Sequence, residues 1–437
     1  MLGSRLVNLL DRYFKLDEHG TNVRVESTAG ITTFLAMVYI TIVNPGILSD
    51  AGMDFEAVFV ATCIAAAVGT LIMGIHANYP IAQAPGMGQN AFFTFGVVLG
   101  MGHSWQTALG AVFVSGVIFV VLSLLPVREW LVNAIPRDLK LGMASGIGMF
   151  LGFIALKNAG IVVDDAVTLV ALGDIISLEP MICIAGFVTI VALSAHRFRG
   201  AIITGILAAT AVGWMFGDVE FNGFVAMPPS IAPIFLQLDI LAALQWSMVT
   251  VILSMLIVDV FDTAGTLVGV ASRASLLDSD GNLPRLRKAL LSDSTATVVG
   301  AVAGTSSTTS YIESAAGVEA GGRTGLTAVV CGLLFLGCLF FAPLAHSVPP
   351  YATASALLFV AAMMTQSLAS VDWGDVTESG PAVITAIAMP LSFSIADGIG
   401  LGFISYILIK IVSGRARECS LAAYAIAMIF ALKYLFL

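Results

Sequence analysis

Tyr79-Pro-Ile-Ala-Gln-Ala-Pro-Gly-Met-Gly-Gln-Asn90 lies where a chain built for a lipid bilayer should carry an unbroken apolar helix, and it cannot form one. Pro80 and Pro85 remove backbone donors, and Gly86 and Gly88 weaken any helix that follows. The natural reading is a short extended piece leading into a half-helix. A second stretch, Thr305-Ser-Ser-Thr-Thr-Ser-Tyr-Ile-Glu313-Ser-Ala-Ala-Gly317, has the same character, because its run of hydroxyls competes with the helix ladder for backbone groups. Irregular backbone at membrane depth is tolerated only where it is buried in protein or lines a cavity, so both stretches point to a site. Their half-helix N-termini would aim N–H groups and positive dipole ends at a polar ligand.

The rest of the chain agrees with a membrane setting. Of 437 residues, 58% are hydrophobic and 11% charged, with a mean hydropathy of +0.98. A soluble domain carries about a quarter of its residues as Asp, Glu, Lys and Arg, so this chain lacks the charge to cover a water-facing surface. Hydrophobic runs fall near residues 29–48, 58–75, 79–99, 106–125, 139–159, 181–195, 201–216, 246–271, 289–304, 306–320, 325–345, 351–369, 381–395 and 397–412. These fourteen segments predict an all-α polytopic membrane protein with no separate soluble domain. A further apolar stretch, Leu421 to Leu437, reads equally as a fifteenth crossing or as an interfacial helix.

With a cytoplasmic N-terminus, 17 of the 19 Lys and Arg residues fall on the inner side, from Arg5, Arg12, Lys15 and Arg24 through Arg128, Arg137 and Lys140 to Arg415 and Arg417. Outer loops, including Asp50 to Ala57 and Gly217 to Asp239, hold only Lys157, and Lys433 is unassigned. The polar tail, Met1 to Glu26, lacks the apolar core of a cleaved leader, so the first span is expected to stay. Residues 29–216 repeat in residues 246–412: both third segments are broken, and Ile135-Pro136 and Val348-Pro349-Pro350 open corresponding later spans. Seven spans is an odd number, so the second half is inverted relative to the first. That is the plan of secondary transporters whose site lies at the midplane.

Three carboxylates stand inside apolar sequence: Asp259 and Asp262 in Val251-Ile-Leu-Ser-Met-Leu-Ile-Val-Asp-Val-Phe-Asp-Thr-Ala-Gly-Thr-Leu-Val268, and Glu313 in the second broken stretch. Each costs about 2.5 to 3.5 kcal/mol at the centre of a span on insertion scales, so such residues face a polar interior. Asp259 and Asp262 are three apart on one helix face, and one of them is a candidate proton carrier. An ionised acid also accepts N–H donors from a neutral heterocycle, and Asn90 can add orientation through both its donor and its acceptor. The ligand this describes is small, planar and polar. From the residues alone, its identity stays open.

Other chemistries find little support. The net charge is -9 with scattered basic residues, which argues against nucleic acid. Five cysteines (Cys63, Cys183, Cys331, Cys338 and Cys419) form no CxxC pair, and His19, His76, His103, His196 and His346 share no metal-ligand spacing, so no metal and no cofactor are expected. Asp262-Thr-Ala-Gly265 has no second copy to complete a protease dyad, and Gly86-Met-Gly88 lacks the strand–helix context of a nucleotide loop. Neither an intramembrane enzyme nor a channel with a ring-like filter matches the acidic trio.

Four blocks carry a family resemblance: Thr32-Thr-Phe-Leu-Ala-Met-Val-Tyr-Ile-Thr-Ile-Val-Asn-Pro45, Ala84-Pro-Gly-Met-Gly-Gln-Asn-Ala-Phe-Phe93, Val258-Asp-Val-Phe-Asp-Thr-Ala-Gly-Thr-Leu267 and Tyr311-Ile-Glu-Ser-Ala-Ala-Gly317. In order and over nearly the whole chain, they resemble the AzgA-like purine permeases of the nucleobase:cation symporter 2 family. The resemblance implies a fourteen-span, 7+7 inverted-repeat fold behind a cytoplasmic tail (1–28). A core domain takes residues 29–126 and 240–346, and a gate domain takes 127–217 and 347–413, with 414–437 left as a C-terminal hydrophobic segment. It implies proton-coupled uptake of adenine, guanine or hypoxanthine across the cytoplasmic membrane by an elevator-like motion, powered by the proton gradient. Homodimers are common in the wider family. By motif position, Asp259 and Glu313 would hold the purine, Asn90 would set its fit, Gly86, Met87 and Tyr311 would complete the substrate-binding set, and Asp262 would couple the proton. Gln89 departs from the family, which usually has an aliphatic residue before the Asn. An alternative within the fold is a symporter or exchanger for another small planar or anionic solute.

Overall fold

The structure, a computed structural model, describes residues 9–125, 135–216, 221–278 and 283–436. Arg5 and Arg128 of the charge count, the start of the outer loop at Gly217 and the terminal Leu437 lie outside these residues. The first repeat begins with α1 (Val23–Asp50) and α2 (Phe55–Ala77). Asn22 and Asp54 cap their N-termini, each accepting a backbone N–H three residues on. The broken third segment follows as strand β1 (Gln83–Pro85) and the short helix α3 (Met87–Ala91), which runs on through wider π-helical turns to Gly100. Next come α4 (Trp105–Leu124), α5 (Arg137–Asn158), a hairpin of β2 (Val162–Asp165) and β3 (Leu169–Leu172), α6 (Leu178–Ala195) and α7 (Ala201–Met215).

The second repeat retraces this order. It comprises α8 (Trp246–Arg273), α9 (Leu286–Ala303), β4 (Thr308–Ser310), α10 (Ser314–Glu319), α11 (Gly325–His346), α12 (Pro350–Ser370), α13 (Val376–Ser392) and α14 (Ile395–Val412). Among the described residues, nine helices are long and apolar enough to cross a membrane. The remaining crossings of the fourteen are the two strand–half-helix segments and helices that are shorter or more polar. β1 and β4 pair antiparallel, Gln83 with Ser310, Ala84 with Thr309 and Pro85 with Thr308. Equivalent strands of two inverted halves must meet in that sense, and the pairing sets the N-termini of α3 and α10 at opposite ends of one two-stranded ribbon.

Packing divides the helices into two sets. α9 lies against α2 and α4, and α11 lies against α1 and α2; separately, α5 lies along α12 and α13, α13 along α14, and α6 along α7 and α12. Small residues permit the close approach: a Cβ on Gly142 of α5 would stand 2.5 Å from the Ala382 carbonyl oxygen of α13. All five cysteines are free, four of them buried, and they act as packing residues.

The last apolar stretch forms α15 (Leu421–Phe436). It packs antiparallel along α14: the Tyr424 hydroxyl donates to the Ala416 carbonyl near one end, and Lys433 Nζ meets Asp397 Oδ1 at 2.7 Å near the other. Between these points the fully buried Phe430 occupies the space left by Gly400. Sixteen residues rise about 24 Å at 1.5 Å each, which matches the length of its neighbour. α15 therefore runs alongside α14 for most of that helix's length.

Candidate functional site

The β1–β4 ribbon is surrounded by buried polar side chains, as exposed backbone in lipid requires. Gln83 is anchored first, its backbone N–H donating to Thr70 Oγ1 at 2.8 Å and its Nε2 to Asp293 Oδ1 at 2.9 Å. Asp293 also accepts from Ser310 Oγ (2.8 Å) and Thr263 Oγ1 (2.6 Å), so one carboxylate ties β1, β4, α8 and α9 together. It was not among the residues singled out from the sequence. It lies two turns into α9 after Arg285, Arg287 and Lys288, where an acid reads as part of a polar helix end, and the available signal was its setting in Ser292-Asp-Ser-Thr295.

Asp259 is fully buried on α8 and faces inward. Its Oδ1 accepts from Gln89 Nε2 and its Oδ2 from Thr297 Oγ1, both at 3.1 Å. Asp262 does not share that environment. Three residues on, the helix has turned enough for its carboxylate to open into a cavity of about 780 Å³. α8 therefore presents one acid to the buried polar network and one to the cavity.

Glu313 stands at the N-cap position of α10 rather than in mid-helix, and its Oε1 accepts from the buried Tyr39 hydroxyl at 2.7 Å. Tyr311 turns back across the ribbon, donating to the Pro85 carbonyl at 2.5 Å. Asn90 Oδ1 accepts from Ser306 Oγ, and its Nδ2 is buried without a partner among the described residues. Gly86 is the N-cap of α3, its extended φ of -74° carrying the chain from strand to helix, and a Cβ there would meet Thr309. Met87 is buried beside it. The expected site residues thus gather around one ribbon, in two layers. Asp262 and Gln89 reach the cavity wall, whereas Asp259, Glu313, Asn90, Gly86, Met87 and Tyr311 form the polar and apolar layer behind it.

The cavity lies between the two helix sets. Gln89, Phe261 and Asp262 contribute from one side, and Lys140, Ile147 and Met364 from the other. Lys140 Nζ sits 4.9 Å from the centre of the Phe261 ring, a cation–π contact that bridges the sets. Phe261, Asp262 and Gln89 thus share one wall of the cavity with the apolar Val258 and Ile312. The mouth is framed by the N-terminal ends of α5 and α9 and the C-terminal end of α8. Among the described residues no group of three or more His, Cys, Asp or Glu is arranged to hold a metal ion.

Comparison with known proteins places this architecture. A model described as the Permease family matches residues 24–401. The adenine permease AdeP of Escherichia coli is 49% identical, the match covering 98% of this chain and 96% of that one. The guanine/hypoxanthine permease PbuO of Bacillus subtilis is 44% identical, over 95% and 98%. Among solved structures, the transmembrane domain of the cyanobacterial bicarbonate transporter BicA superposes with a TM-score of 0.65 at 16% identity, covering 87% of this chain and 97% of that one, which shows a shared fold. With four motif blocks in order around one strand–half-helix ribbon and matches over nearly its full length, the chain belongs to the Permease family, in the AzgA-like purine permease branch of the nucleobase:cation symporter 2 proteins.

Proposed function

We propose that the chain is a proton-coupled secondary transporter that brings purine nucleobases across the cytoplasmic membrane, its N-terminus on the cytoplasmic side and the proton gradient its energy source. The observation that carries this reading is the division of labour on α8, where Asp262 opens to the cavity and Asp259 is buried among donors behind it. In this reading the base sits in the cavity against Phe261. Asp259 and Glu313 become its hydrogen-bond acceptors, Asn90, Gly86, Met87 and Tyr311 shape the site, and Asp262 carries the proton. Relatives that transport adenine or guanine and hypoxanthine support a purine ring as the ligand.

The cavity mouth at the start of α5 and α9 is the face that charge counting assigns to the cytoplasm, so this conformation is inward-open. The two separately packed sets are the core and gate domains, and sliding of one past the other moves the site across the bilayer. The fold-sharing bicarbonate transporter keeps a runner-up alive, a small anionic solute; the inward-facing carboxylates disfavour it, since they repel an anion.

Uptake of radiolabelled adenine, hypoxanthine, guanine and uracil into proteoliposomes, with and without an inward proton gradient, tests the proposal. Gradient-dependent purine accumulation that disappears in Glu313→Gln is expected. Asp262→Asn should lose accumulation against a gradient while retaining counterflow exchange. Equal loss of both activities would give Asp262 a role in binding, if the Asp262→Asn protein is folded, or in folding, if it is not.

A further inference from the structure

A second cavity, of about 630 Å³, opens beside the N-terminal segment and shares no lining residue with the first. Three separate pieces of chain converge on it: the segment around Tyr13 to His19, the end of α2 with His76 to Tyr79, and Ser275 to Leu277 after α8 with Pro284, Arg285 and Lys288 at the start of α9. Each is fixed. The Arg285 backbone N–H donates to the Tyr79 hydroxyl at 3.1 Å, and the Arg285 guanidinium carbon stacks 4.5 Å from the centre of the Tyr79 ring. Asn78 Nδ2 donates to the Phe14 carbonyl at 3.1 Å, and Tyr13 donates to the Ile75 carbonyl at 3.2 Å. Phe14 and Leu16 bury themselves against Leu326, so the N-terminal segment is seated on the helices.

The lining is strongly basic. Lys15, Arg285 and Lys288 face the cleft together with His19 and His76; among the described lining residues the one carboxylate is Glu18, which Lys15 engages at 3.0 Å. A bias of positive charge toward one membrane face accounts for basic residues in these loops. It does not account for their convergence on one concave surface of a size typical of small-molecule sites, about 300 to 1,000 Å³. Arg285, the residue before α9, and Lys288 in its first turn both line the cleft, a planar guanidinium fork and a mobile ammonium three residues apart. That pairing suits a phosphate: the fork fixes two oxygens and the ammonium adds a point charge.

We propose that this cleft binds a phosphate monoester or diester, with Arg285 and Lys288 as the principal phosphate ligands and Lys15 closing the site from the N-terminal segment. Two sources present this chemistry, a free nucleotide and the headgroup of an anionic phospholipid. The inference goes beyond the transport reading and does not depend on it.

Thermal stability of the full-length protein is measured in two settings. In neutral detergent it is titrated with adenosine monophosphate, inorganic phosphate and, as an uncharged control, adenosine. In nanodiscs it is compared between phosphatidylcholine alone and phosphatidylcholine with phosphatidylglycerol. Saturable stabilisation by the monophosphate assigns a free phosphate, and stabilisation by phosphatidylglycerol alone assigns a lipid. In Arg285→Gln and Lys288→Gln the titration midpoint should shift at least tenfold to weaker binding, or the stabilisation by phosphatidylglycerol should be lost; either should be retained in Lys288→Arg and persist in Glu313→Gln, which separates this site from the transport site. The proposal is overturned if no phosphate-bearing probe stabilises the protein. It is equally overturned if the two glutamine variants, melting like the wild type without ligand, respond as the wild type does.

Discussion

Gln89 shows how one side chain can shape selectivity through a partner. Its Nε2 donates to Asp259 Oδ1, while its Oε1 is buried without a partner among the described residues. A purine that uses Asp259 as an acceptor therefore meets a carboxylate already engaged on one oxygen by Gln89 and on the other by Thr297. Guanine, with N1–H and an exocyclic amine side by side, gains most from a free carboxylate. Adenine, without that donor pair, gains least. Gln89→Leu is expected to raise guanine affinity relative to adenine about tenfold, roughly the worth of one hydrogen bond to a charged group. Competition binding to purified protein measures the ratio, and an unchanged ratio would remove Gln89 from the specificity set.

At the scale of elements, the ends of α13 and α14 are joined by ions rather than by apolar packing. Lys410, fully buried near the end of α14, has Nζ 2.7 Å from Glu378 and 2.8 Å from Glu418. Arg415 bridges Asp375 (2.6 Å) and Glu418 (2.7 Å) just beyond. Hydrogen bonds from Arg415 and then Lys410 hold the Glu418 carboxyl down at about 2, and the Arg415 hydrogen bond holds Asp375 below the usual carboxylate range. Groups with depressed folded-state values stabilise the fold above their ordinary values, near pH 4, and lose that contribution as pH falls toward the folded values. Arg415→Gln should therefore melt below the wild type at pH 7, and the gap should close as pH is lowered from about 4. A gap independent of pH would mean that Arg415 acts through packing alone.

At the scale of the molecule, α15 sets where the chain ends. Fourteen crossings bring the chain back to the face it started from, and a fifteenth crossing by α15, antiparallel to α14, would carry Phe436 to the opposite face. An alkaline phosphatase fused after Leu437 should be active outside the cytoplasm, whereas the same fusion after Ser420 should be inactive. Inactivity of both fusions would make α15 an interfacial helix. Lys433→Gln, which breaks the contact with Asp397, should loosen α15 and raise its susceptibility to protease.

Much of this architecture was legible in the chain, because a bilayer leaves few alternatives. Lipid demands satisfied backbone groups, so Pro80, Pro85 and the hydroxyl run from Thr305 to Ser310 marked two places where the ladder breaks, and the cost of buried charge singled out Asp259, Asp262 and Glu313. Sequence spacing put Asp259 and Asp262 on one face and stopped there. The packing of α8 against α3 and α9 decided that one would be capped by Gln89 and Thr297 and the other left open to a cavity. The joining of four elements by Asp293, the course of α15 and the convergence of Lys15, Arg285 and Lys288 on one cleft were likewise decided by tertiary structure. The reason is physical. Membrane cost and helix period act along the chain and are written in local composition, whereas hydrogen-bond partners and cavities depend on which distant segments meet, and no local period records that.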